Sequence, residues 1–212
     1  MYKISPALLS IPFAAYLLGS IPFGLLLSRV FGGGDVRKSG SGNIGATNVA
    51  RVAGRLPGIL TLLFDVAKGA AAVWLAGRVS NESATWMMIA ALAALLGHCY
   101  PIWLKFRGGK GVATAAGAFL VLCAPALLGS VTLFLLVAFF WRYVSLASIS
   151  AATSMPLLIY LWWAPHHAPP PFVTFGALAA AAIIVYKHDA NIQRLVHGKE
   201  PRFSFGKKRD AA

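Results

Sequence analysis

Six apolar runs, at about 4–28, 58–77, 84–104, 112–141, 144–164 and 172–186, take up most of this 212-residue chain. Their interiors hold two full charges, Asp65 and Lys68. A helix rising 1.5 Å per residue needs about twenty apolar residues to cross a bilayer core. Each run is long enough to cross, or nearly so. Only 12% of the residues are charged, against about 25% in soluble domains. The chain is therefore expected to be an all-α integral membrane protein, with residues 1–212 forming one transmembrane domain and 205–212 a basic tail.

The run 112–141 has 30 residues, enough for one long tilted helix or two short ones, and it contains Pro125. Charge decides how it is folded. Five cations lie in 29–55, three in 105–110 and seven in 187–212. If 112–141 makes one crossing, the basic tail lies opposite the two basic loops. If it turns back near Cys123-Ala124-Pro125, these groups and Arg142 share one side, and Lys3 and Arg78 face the other. Cytoplasmic loops collect Lys and Arg. Seven spans follow, with the N-terminus outside, the C-terminus cytoplasmic and two short helices of about fifteen residues in the hairpin. The first run lacks an A-x-A cleavage pattern and reads as a membrane helix rather than a removed signal peptide.

The formal net charge of +13 follows from these loops. A nucleic-acid partner is not expected, because the aromatics lie in or beside apolar runs rather than among the basic residues. Cys99 and Cys123 sit in apolar segments and read as small core residues. His166-His167 point apart with no third ligand near, so no metal site is expected. Asn81-Glu82-Ser83 matches a glycosylation pattern too short to carry weight.

Polar chemistry is concentrated in a few places. The stretch Lys38 to Arg51 packs three glycines, two serines, a threonine, two asparagines and two cations into fourteen residues. Ser39, Gly40, Ser41, Gly42, Asn43, Gly45, Thr47 and Asn48 offer backbone and side-chain donors, and Arg51 can grip a phosphate bidentately. Gly40-x-Gly42-x-x-Gly45 is not a dinucleotide fingerprint, since its flanks are membrane helices rather than a strand–turn–helix unit. Gly108-Gly109-Lys110-Gly111, running to Thr114, is not a Walker loop: Leu104 stands where a glycine is needed, and Gly111 replaces the hydroxyl residue. It still places N–H groups and a lysine at a helix start, an arrangement that favours an anion. His188, Asn191 and Arg194 follow at intervals of three on a short amphipathic segment, and Glu200 is a carboxylate for the cations of the other loops. Asp65 and Lys68, at i and i+3, are expected to pair and support the loops.

Together these residues resemble the bacterial membrane glycerol-3-phosphate acyltransferases that use acyl-phosphate, the PlsY family. The resemblance runs through Ser20-Ile-Pro22-Phe-Gly24, Ser41 to Arg51, Asp65-x-x-Lys68-Gly69, Gly97-His98-x-x-Pro101, Phe106 to Thr114, Arg142-Tyr-Val-Ser145-Leu-x-Ser148 and His188 to Glu200. Ile44 departs from the proline common in the first motif. The resemblance implies seven helices and a reaction: glycerol 3-phosphate and acyl-phosphate give 1-acyl-glycerol 3-phosphate and phosphate, the first acylation of phospholipid synthesis. It implies direct transfer without cofactor or metal. Ser41, Arg51, Lys110, His188 and Asn191 are then expected to bind substrate and stabilise the transition state. The remaining glycines and donors of the loops, with Thr114, Arg194 and Glu200, are expected to bind phosphate. The expected partners are the two substrates and membrane lipids, in a monomer whose active loops face the cytoplasm of the bacterial inner membrane. A transporter is the rival class, but transporter sites lie near the midplane on broken, repeated helices. The polar residues here cluster on one face, and a scaffold would not explain the glycines.

Overall fold

The computed structural model describes residues 5–163 and 170–203, and every regular element within them is helical. The chain is an all-α integral membrane protein. Ten α-helices occur in the order α1 (Pro6–Gly19), α2 (Phe23–Val30), α3 (Ala46–Val52), α4 (Arg55–Ser80), α5 (Ala84–Cys99), α6 (Val112–Leu122), α7 (Ala124–Trp141), α8 (Val144–Trp163), α9 (Pro171–Lys187) and α10 (Asp189–Val196). The His166-His167 pair and the tail cations Lys207, Lys208 and Arg209 lie outside the described residues.

The first apolar run is one crossing with a break. Pro22 lacks an N–H and disfavours the helical conformation at Ile21, so α1 stops at Gly19 and α2 restarts at Phe23. The break releases the Ile21 carbonyl from the helix ladder. It accepts from Phe23 N–H at 3.0 Å and from Lys68 Nζ, on α4, at 2.9 Å. Lys68 also pairs with Asp65 at 2.8 Å, with both side chains buried. The intramembrane ion pair therefore forms at the expected spacing and ties α4 to the kink of the first span.

Small residues set the helix packing. A Cβ on Gly69 of α4 would collide with the Thr114 carbonyl of α6, and one on Gly117 of α6 with the Val66 carbonyl of α4. Such close backbone approach drives helix association in lipid, where apolar burial supplies little. The interior, centred on Val73, Met88, Leu95, Ile159 and Val173, is close-packed. The outside is apolar as well: Trp74, Phe139 and Phe175 are 56%, 71% and 70% exposed, which suits lipid and not water.

The ambiguous run does break, at Cys123, with Pro125 in the first turn of α7. Proline is tolerated there because first-turn N–H groups have no helical partner. One expectation is corrected. α6 has eleven residues, not about fifteen, and so rises about 16 Å, roughly half of a bilayer core. By length and composition five helical segments can cross a membrane, or six if α9 and α10, bent by 61°, are taken together. α6 would be a seventh span only in a locally thinned membrane. The turn is legible in the sequence because Pro125 marks it. The helix is short because it starts only after Gly111 and the turn at Cys123 closes it.

The loop between α2 and α4, the loop between α5 and α6, the start of α8, and α10 with residues 197–203 gather around one cleft.

Candidate active site

The opening loop is organised by one side chain. Asn48 is 2% exposed. Its Oδ1 accepts from Ser41 N–H at 2.8 Å, and its Nδ2 donates to the carbonyls of Val36 (3.1 Å), Ser39 (3.1 Å) and Asn43 (2.9 Å). Asn43 Oδ1 accepts from Gly45 N–H at 2.7 Å, and Gly42 N–H donates to Ser39 O at 3.0 Å. Buried backbone groups require partners, and an asparagine amide supplies both kinds. This revises the role expected for several residues. The Asn48 amide and the N–H groups of Ser41, Gly42 and Gly45 are spent on the loop itself, not held ready for an anion. Gly40, with φ +60°, lies where any Cβ would strike Asn48 Oδ1. Ser41, Asn43, Gly45, Thr47, Asn48 and Arg51 line the cleft, and Ser39, Gly40 and Gly42 are not among its lining residues.

The second glycine loop is revised in the same way. Gly108 N–H donates to Cys99 O (3.2 Å) and Gly109 N–H to His98 O (3.0 Å). These bonds satisfy carbonyls at the end of α5. A Cβ on Gly109 would strike the His98 ring, so the glycines allow the loop to lie on α5 instead of presenting free donors. Gly111, at φ +80°, caps α6. The first bond of that helix runs from Ala115 N to Gly111 O at 2.8 Å, which leaves the first-turn N–H groups at its start open. Val112 and Ala113 line the cleft with Lys110. Thr114 does not; it is fully buried against α4, with its carbonyl at Gly69.

The third group closes the cleft. His188 sits at the bend between α9 and α10, 2% exposed, and its Nδ1 lies 2.8 Å from Ile184 O. A carbonyl only accepts, so Nδ1 carries the proton, and the Nε2 of the neutral ring keeps its lone pair. Burial, reinforced by the nearby Lys110 charge, pushes the His188 pKa down to about 4. Lys110 Nζ donates to Asn191 Oδ1. Asn191 Nδ2 donates to Glu200 Oε1 at 2.6 Å, and Arg194 Nε donates to Glu200 Oε2 at 2.7 Å. Glu200 thus bonds α10 rather than the cations of the other loops. Burial alone would raise its pKa, but the donors around it, Asn191 and Arg194 among them, outweigh that and hold the carboxyl below its usual range. For Lys110 burial is the largest effect. With Arg194, Arg51 and Lys187 it outweighs Glu200 and pushes the ammonium down to about 8.

Five further polar residues line the cleft without having been assigned to substrate chemistry: Asp65, His98, Ser130, Ser145 and Ser148. His98 Nδ1 stands 3.5 Å from Asp65 Oδ1. The visible signals for Ser145 and Ser148 were their place in the Arg142 to Ser148 motif and their i, i+3 spacing at the start of an apolar span.

The cleft has a volume of about 530 Å³. Arg51, Lys110 and Arg194 make its polar end cationic. From there an apolar arm passes Val66, Phe119, Val131, Phe134 and Met155 into the bundle. Such a shape holds a molecule with an anionic head and a long apolar tail. Fold and site together define a membrane-embedded protein whose cleft joins a cationic end to an apolar arm.

Residues 9–198 match the family model described as glycerol-3-phosphate acyltransferase. The chain is 48% identical over 190 residues to a glycerol-3-phosphate acyltransferase of Syntrophotalea carbinolica, covering 90% of this chain and 94% of that one. It is 49% identical over 185 residues to the enzyme of that name from Mesorhizobium japonicum, covering 87% and 90%. It also resembles two crystal structures of PlsY (YgiH), described as an integral membrane glycerol 3-phosphate acyltransferase. The glycerol 3-phosphate form has TM-score 0.85 and 39% identity, covering 93% of this chain and 96% of that one. The lysophosphatidic acid form has TM-score 0.83 and 38% identity, covering 93% and 95%. The chain belongs to the glycerol-3-phosphate acyltransferase family and is an acyltransferase of the PlsY type.

Proposed function

We propose that this cleft moves an acyl group from acyl-phosphate to the 1-hydroxyl of glycerol 3-phosphate, releasing inorganic phosphate as the first acylation of phospholipid synthesis. One observation carries the reading: a single cleft joins a cationic, hydrogen-bonding end to an apolar arm of acyl-chain character. In the reaction the hydroxyl oxygen bonds to the carbonyl carbon. The bond from that carbon to the phosphate oxygen breaks, and phosphate leaves with the electron pair.

Acyl-phosphate is already activated, so positioning and charge stabilisation suffice. Lys110 and the start of α6 stabilise charge on the carbonyl oxygen or the departing phosphate. Arg51 and the Ser41 hydroxyl hold phosphate oxygens. His188 Nε2 accepts a hydrogen bond from the attacking hydroxyl and orients it. With a pKa of about 4 it is a weaker base than a phosphate dianion, whose second pKa is about 6, so a substrate phosphate takes the proton. Asn191 sets Lys110. No cofactor, metal or acyl-enzyme takes part in this scheme.

The same reading places the enzyme in the bacterial inner membrane as a monomer among lipids, a single domain over 1–212 with seven spans, its N-terminus outside and the polar loops on the cytoplasmic face. The test is phosphate release from acyl-phosphate by reconstituted protein. It is expected to require glycerol 3-phosphate, to survive a chelator and to fail with acyl-CoA. Strict dependence on acyl-CoA would overturn the donor assignment.

A further inference from the structure

Residues 197–203 leave α10 and fold back across the turn between α7 and α8. Gly198, at φ +67°, reverses the chain, and Lys199 N–H closes the turn on Arg194 O at 2.7 Å. The end of the segment is then anchored. Phe203 N–H donates to Arg142 O at 2.6 Å, and Arg142 Nε donates to Phe203 O at 3.2 Å. Arg202 Nε donates to Tyr143 Oη at 3.2 Å, with the guanidinium 5.5 Å from the centre of the Tyr143 ring. These contacts join residues about sixty positions apart and lie outside the cleft.

Between the turn and the anchor stands Glu200, whose side chain is 6% exposed. A carboxylate accepts only, so it draws the NH2 group of Asn191 towards itself. An ammonium donates only, so Lys110 takes the amide oxygen that remains. Were the amide reversed, both contacts would be lost. A carboxylate is also a poor ligand for phosphate.

We propose that residues 200–203 are a strap that sets the Lys110 ammonium: anchored on Arg142 and Tyr143, the strap presents Glu200 to Asn191, and Asn191 aims Lys110. The inference rests on the reading of the cleft as the acyl-transfer site. Glu200 is a positioning residue, and Arg202 acts one step further away. The charged and titratable groups that bear on Lys110 are Arg51 on α3, Lys187 and His188 at the end of α9, Arg194 on α10 and Glu200; Asp65 and His98 line the same cleft from α4 and α5. Of these, Glu200 is the anion whose charge favours the Lys110 ammonium. Withdrawing it moves the alkaline limb of the rate profile to lower pH.

The test uses the full chain in vesicles, with Glu200→Gln, Arg202→Ala, Arg202→Lys and the double variant Glu200→Gln with Arg202→Ala. Each is assayed for phosphate release across pH, beside a thermal melt. Misplacing a catalytic group by about 1 Å costs on the order of 10²-fold. Glu200→Gln is expected to lower kcat by about ten- to a hundredfold and to shift the alkaline limb of kcat/KM downward. Arg202→Ala, on the exposed side, is expected to shift the limb the same way with a smaller loss. Arg202→Lys restores part of it, and the double variant is no worse than Glu200→Gln alone. If Arg202→Ala leaves both kcat and the limb unchanged, or if the two losses multiply, the strap is overturned. Should Glu200→Gln fail to fold, Arg202→Ala against Arg202→Lys decides by itself. Absence of glycerol-3-phosphate-dependent release from the unaltered protein would instead overturn the reading of the site.

Discussion

Replacing Lys110 by methionine tests the mechanism at its most sensitive point. Methionine keeps the unbranched apolar stem and removes the charge. Burial and the neighbouring cations bring the Lys110 pKa from 10.5 down to about 8. Each tenfold change in proton affinity is 1.36 kcal/mol, so burying this charge in the cleft costs roughly 3 kcal/mol. An incoming phosphate dianion recovers that cost, and charge that builds up on it during transfer recovers more. A difference of roughly 3 kcal/mol corresponds to about 10² in rate, and loss of one preorganised contact to developing charge costs about 10²–10³. Lys110→Met is therefore expected to lower kcat by at least about a hundredfold while the protein still inserts and melts normally. Lys110→Arg should also be poor, because a broad planar fork replaces an ammonium fitted against the Asn191 amide oxygen. The active form is the protonated one and its pKa is lowered, so kcat/KM should fall as pH rises through about 8. The limb in kcat should lie higher, since bound dianion favours the ammonium. The assay is phosphate release with both substrates varied. Near-normal kcat with only a raised KM would make Lys110 a binding contact and refute the catalytic assignment.

Asn48→Ala should unravel the opening loop, because it strands the Ser41 N–H and three carbonyls at about 1–3 kcal/mol per buried group; a melting temperature close to that of the unaltered protein would contradict this. Ser41→Ala should slow turnover without any acyl-enzyme, and mass spectrometry that trapped an acyl group on Ser41 from acyl-phosphate alone would replace direct transfer by a two-step route. Ala177 lines the cleft on α9, eleven residues from His188 and hence about 16 Å deeper, so Ala177→Phe should shift preference to shorter acyl donors. An unchanged chain-length profile would put the tail elsewhere. In a background lacking Cys99 and Cys123, a cysteine at 125 should label from outside and one at 208 from inside; labelling from the same side would eliminate the α6–α7 hairpin as a crossing.

What the sequence determined by itself is what is encoded locally. Apolar runs name the membrane helices because each residue's transfer energy acts on its own segment. Pro125, with the charge pattern of the loops, marks the turn in the long run. Lys68 pairs with Asp65 because i, i+3 neighbours meet on any helix. The residue types of the two glycine loops and of the segment from His188 to Glu200 also announced an anion site. Tertiary structure decided how those types are used. Asn48 looks like a phosphate donor until the carbonyls of Val36, Ser39 and Asn43 are beside it. Gly108 and Gly109 look like a cradle until α5 ends against them. The orientation of the Asn191 amide depends on Lys110 and Glu200. In each case the donor and its acceptor are brought together only by folding, and a hydrogen bond spent inside the protein cannot be told from a free one until both ends are in place.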